Sequence, residues 1–122
     1  MATVVAELVR ARSVIEAATL SLPTLTPRLQ PAAAAHAAHL DVLVGAVADA
    51  DVPAPAPPEV APDEGRALAA VQRSEQRLLR EVREGCVGAS SGDLARVLAS
   101  VAASTAQHAA ALAPGATRRV DA

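Results

Sequence analysis

The stretch GDLARVLASVAASTAQHAAAL, residues 92–112, decides the fold. Leu94, Leu98, Val101, Thr105, His108 and Leu112 follow one another in steps of 4, 3, 4, 3 and 4. Those steps keep six side chains on one stripe of an α-helix, and such a stripe is the seam of a helical bundle. Two of its members, Thr105 and His108, are polar and three positions apart, so they share a face. Polar atoms on a buried stripe need partners, which the rest of the chain must supply.

Working outward, the composition points the same way. The 122 residues suit one small domain. Hydrophobic residues make up 52%, with no Phe, Trp or Tyr, so the core must be built from Leu, Val, Ile and Ala. Such small side chains bury little area each, and helices must come close to fill space. Ala and Leu are strong helix formers, whereas a β-sandwich with no aromatics and so few Ile and Thr is a poor alternative. The expected class is all-α.

Net charge is −2, with no basic run, so a nucleic-acid partner is not expected. Cys86 is alone and cannot form an internal disulfide; it reads as a small residue near a helix end. No run of eighteen apolar residues occurs, so no transmembrane segment is expected. Glu7 and Arg10 disqualify the first residues as a signal peptide. The sequence as given therefore predicts a cytoplasmic protein, or an exported or cell-envelope one should an export segment precede it.

Three more helical patterns lie upstream. The first covers about residues 3–20, with Val4, Leu8, Ala11, Ile15, Ala18 and Leu22 on one face. SLPTLTP breaks it; Thr24 or Thr26 is placed to cap the next helix, and Pro27 or Pro31 suits its first turn. The second helix, about 26–50, has the stripe Ala32, His36, His39, Leu43 and Ala46, with Leu40 and Val47 alongside. Asp63 caps the third, about 63–86, whose stripe is Leu68, Val71, Glu75, Leu78 and Val82. Its opposite face carries Arg73, Arg77 and Arg80, with Glu81 and Glu84 as loose ion partners in water. GCVGASSGD, residues 85–93, is a tight connection: Gly85 or Gly88 ends one helix, and Ser90 or Ser91 caps the fourth, about 91–113. Residues 1–113 form the domain, and 114–122 a tail that should fray.

DVPAPAPPEVAP, residues 51–62, has five prolines in twelve positions. In polyproline II form it covers roughly 35 Å, more than the roughly 30 Å of a twenty-residue helix. A connection of that reach can return along a whole bundle. The expected architecture is a four-helix bundle with one long crossover between the second and third helices.

The two halves repeat one plan. Glu7 precedes His39 by 32 residues, and Glu75 precedes His108 by 33. Each half is a helical hairpin with a carboxylate on its first helix. On its second helix a residue is followed three later by His: His36 and His39, then Thr105 and His108. Glu7 lies beside its apolar stripe, and Glu16 lower on the same helix is nearly as eligible. Glu75 lies on its stripe and requires a buried partner.

This arrangement resembles the ferritin-like superfamily, and within it actinobacterial ferritin-like proteins of uncharacterised function. Residues 92–112 carry most of the resemblance; AAAAHAAHLDVL, residues 32–43, and RALAAVQRSEQRLL, residues 66–79, support it. Di-iron members of that superfamily carry Glu on the first helix and Glu-x-x-His on the second, and the same again on the third and fourth. Here His36 and Thr105 stand where the two Glu-x-x-His glutamates would be. The resemblance thus implies a ferritin-like bundle without an intact di-iron centre, because Thr105 cannot bridge two ions as a carboxylate does. No catalytic residue is assigned. The remaining metal-ligand set is Glu7, His36, His39, Glu75 and His108, a donor set suited to a single zinc or iron ion. The expectation is a binding or structural protein with no cofactor, with a homodimer favoured by its alanine-rich flanks. A single-ion metal-binding protein is the alternative.

Overall fold

The computed structural model describes residues 1–45 and 58–114. Among these residues the chain is all-α: α1 (Ala2–Ser21), α2 (Thr26–Val44), α3 (Glu64–Val87) and α4 (Gly92–Ala111), with a 3-10 turn at Pro23–Leu25. The ends of α1, α3 and α4 and the start of α2 fall within about two residues of expectation, whereas α2 is helical only to Val44 among the described residues, short of the expected residue 50. The expected part of α2 beyond residue 45 and most of the 51–62 crossover lie outside the described residues.

Each helix buries most of the stripe that its spacing marks, with Leu22, His39 and Leu94 left half-buried. On α1, Val4, Leu8, Ala11, Ile15 and Ala18 are buried, joined by Val5. On α4 the buried set is Leu98, Val101, Thr105 and Ala109, with His108 half-buried. On α3, Leu68 stays half-buried and Ala67 takes the inner position.

The apolar interior forms two clusters. One joins Val4, Leu8, Leu40, Leu43, Leu78, Val82, Leu98 and Val101. The other joins Ile15, Ala18, Leu25, Leu29, Ala32, Ala67, Val71 and Leu112. Each Leu or Val sealed there contributes roughly 1.5–3 kcal/mol. Cluster membership also fixes direction. From the first cluster to the second runs α1, and α2 returns. Then α3 again runs from the second cluster to the first, and α4 returns. Thus α2 and α3 are parallel, and α3 begins at the end of the bundle opposite the one where α2 finishes.

The main packing joins α3 with α4, α1 with α3, and α1 with α2, while α2 and α4 touch far less. The bundle is closed on three sides and loose on the fourth. Gly85 helps to close it: a Cβ there would lie 2.8 Å from Val4 Cγ2, so the bare backbone lets α1 and α3 approach.

Caps follow the sequence at two helices and depart from it at one. Asp63 accepts from Arg66 N at 2.8 Å, and Ser91 accepts from Leu94 N at 3.1 Å. The start of α2 has no side-chain cap. The 3-10 turn leads directly into it, and the Thr24 hydroxyl donates to Glu64 Oε1 instead, tying the start of α2 to the start of α3. Pro27 lies in the first turn, but Pro31 lies inside the helix. Gly88 ends α3 at φ −86°, a conformation open to any residue.

Candidate functional site

Between the two apolar clusters lies a polar layer. His36 from α2, Glu75 from α3 and Thr105 from α4 have no exposed surface, and Ser74 beside Glu75 is also buried. His36 and Glu75 reach each other across the middle of the bundle, from two helices with little other contact. The imidazole Nε2–H donates to both carboxylate oxygens, each at 2.8 Å. This is the partner that a buried Glu75 demands. His36 Nδ1 and the Ser74 hydroxyl are buried without a hydrogen-bond partner among the described residues.

The helix spacing explains the convergence. His36 follows Ala32 by four and precedes Leu40 by four on the buried stripe of α2. Glu75 follows Val71 by four and precedes Leu78 by three on that of α3. Each polar residue occupies a core position between apolar ones, so two separately reasonable stripes bring acid and base together.

Thr105 enters the layer but turns to its own helix, where its hydroxyl donates to the Val101 carbonyl at 2.8 Å. His39 and His108 are half-buried at the edge of the layer. The pKa of His39 is lowered, first by burial and then by repulsion from His36 and His108. That of His108 is also lowered, first by burial, with Glu75 pulling it up and His36 pushing it down. His108 thus senses both members of the buried pair and His39 only His36, and burial favours the neutral form of both rings.

Glu7 takes a different course. Its carboxylate is held by Arg10 of the same helix, through both Nε and Nη2, and remains partly exposed. Glu16 pairs with Arg12 at 3.0 Å in the open. On α3, Arg73, Arg77 and Arg80 are exposed. The ion pairs among the described residues do not include them, so Glu81 and Glu84 form no ion pair with them there. Cys86 is half-buried and its thiol donates to the Ala95 carbonyl at 3.3 Å, as a residue packed at a helix end.

Ser74 is the one layer residue that the stripe Leu68–Val71–Glu75 passes over. The signal was present: Ala67, Val71, Ser74 and Leu78 also step by 4, 3 and 4. Alanine at 67 carries a weaker hydrophobic mark than leucine at 68, which hid the second reading of that face.

The di-iron centre of ferritin-like proteins needs carboxylates that bridge, and this layer does not fit one. Among the described residues, no three His, Cys, Asp or Glu side chains are grouped to hold an ion. Glu7 is engaged by Arg10, Glu75 by His36, and Thr105 by its own backbone. Among the described residues, no helix is long and apolar enough to cross a membrane. Comparison with protein families, curated proteins and solved structures finds no match to the chain.

Proposed function

We propose that this chain is a ferritin-like bundle in which a hydrogen-bonded carboxylate–imidazole pair occupies the place of a metal centre, and that it acts in binding or as a structural unit, without catalysis. The observation that carries the reading is the fully buried contact of His36 Nε2 with both Glu75 oxygens at 2.8 Å. That contact consumes the donors a bridged metal would require. The absence of the two Glu-x-x-His glutamates supports it from the sequence side.

A second reading places one zinc or iron ion on His36, His39, Glu75 and His108. Its support is that His39 and His108 lie half-buried near the pair and that burial favours their neutral, ligating form. It requires Glu75 to release His36. Zinc and iron loading followed by elemental analysis, with Glu75→Gln alongside, separates the two. On the first reading, the washed protein retains less than about 0.1 ion per chain and the variant loses stability with or without metal. Near-stoichiometric metal, abolished by Glu75→Gln, would establish the second.

A further inference from the structure

Among the described residues, the loosely packed seam between α2 and α4 carries two hollows. The one towards the C-terminal end of α2 has a volume of about 470 Å³ and includes His39, Val42, Arg96 and Val97 in its lining. Towards the other end, a smaller hollow of about 80 Å³ includes Arg28 and His108. The floor is apolar, and Val42 is 58% exposed, one of few large hydrophobic side chains left in water. No acid lines either hollow, and the fixed positive charges there are Arg28 and Arg96, while His39 and His108 favour their neutral form. The nearest acids on these helices, Asp41 and Asp93, are exposed outside the lining, and Asp93 meets Arg96 only across 3.4 Å at the surface. Elsewhere, residues 59–61 lie against α1 and α3, so this last stretch before α3 covers the opposite side.

We propose that the α2–α4 groove receives an acidic amphipathic helix from a protein partner, with its apolar face on Val42 and Val97 and its carboxylates against Arg96 and Arg28. Three features select that occupant. The two hollows lie along one loosely packed seam between α2 and α4, which suits a helix laid between two helices; a small ligand would need enclosure. The basic rim complements acids. A second copy docked face to face about a two-fold axis would bring Arg28 and Arg96 of one copy towards the same basic groups of the other.

The test uses synthetic helical peptides of about 18 residues, roughly 27 Å long. One has a Leu face flanked by Glu; the other has Lys in place of each Glu. Both carry a single Trp, and the protein contains no Trp, Tyr or Phe, so the emission reports the peptide alone. The acidic peptide should bind saturably, and the basic one at least about tenfold more weakly. Val42→Asp and Arg96→Glu, both at exposed positions, should each weaken the acidic peptide about tenfold, while Arg77→Glu on α3 leaves it unchanged. Helical content by circular dichroism verifies that each variant is folded. Equal binding of the two peptides, no saturable binding, or an equal loss with Arg77→Glu overturns the proposal. So does a dimer by light scattering that Val42→Asp converts to monomer, since the groove would then be covered by a second copy.

Discussion

Glu7 and Glu75 hold matching places in two hairpins of one plan, yet they finish in different surroundings. Glu75 is sealed in the centre with His36, whereas Glu7 stays at the edge of α1 in the grip of Arg10. The difference tracks the residue three positions on. For Glu75 it is Leu78, wholly buried, which commits that face of α3 to the interior. For Glu7 it is Arg10, which offers a cation on the same face and lets the carboxylate remain near water. The second helices differ likewise. His36 is long enough to reach α3, while Thr105 is short and bonds to its own turn. Matched residue types at matched spacing therefore do not confer matched environments; the neighbours one helical turn away do.

The largest test of this contrast is removal of each acid. Glu75→Ala should cost about 3–5 kcal/mol, because it strands His36 in the interior, while Glu7→Ala should cost no more than about 1 kcal/mol. Urea unfolding followed by circular dichroism measures both, and equal losses would abolish the contrast. Replacing both partners, His36→Leu with Glu75→Leu, should recover most of the loss and could exceed the parent by up to about 4 kcal/mol, since two desolvated polar groups become a packed apolar layer. A double variant less stable than Glu75→Ala would show that the pair does more than satisfy itself.

Acidity probes the edge of the same layer. The folded-state pKa values of His39 and His108 lie below the ordinary 6.5. The unfolded chain therefore binds more protons as pH falls through about 6.5, and stability declines as acid is added, while above that range these groups contribute no slope. Melting temperature should drop from about pH 7.5 to about pH 5.5, and His39→Gln with His108→Gln should flatten the decline. The smallest effect belongs to Arg10→Leu, which gives Glu7 the kind of neighbour Glu75 has. The partly exposed carboxylate can turn to water, so the change should stay within about 1 kcal/mol.

Much of this architecture is legible in the chain. Leu94, Leu98, Val101 and Leu112 mark α4 through spacing alone, and the demand of a carboxylate on the Val71–Leu78 stripe foretells a buried partner for Glu75. Which imidazole answers that demand is not local information. His36, His39 and His108 were all eligible, and only the packing of α2 against α1, with α3 on the far side, selects His36. The lead into α2 departs from its threonine signal for a related reason. Threonine before a helix is a capping signal, but Pro23 opens a 3-10 turn that runs straight into α2, and the Thr24 hydroxyl is drawn to Glu64, forty residues away.

The His36–Glu75 contact also determines how the helices stand lengthwise. Alanine-rich surfaces are smooth and offer little to stop one rod from sliding along another. A one-turn slip of α2 would carry His36 about 5.4 Å from the carboxylate. Ala32 or Leu40 would then face Glu75, and neither can accept or donate a hydrogen bond through its side chain. The central pair thus works as a detent, admitting one axial alignment in a bundle whose methyl-lined walls would otherwise tolerate several.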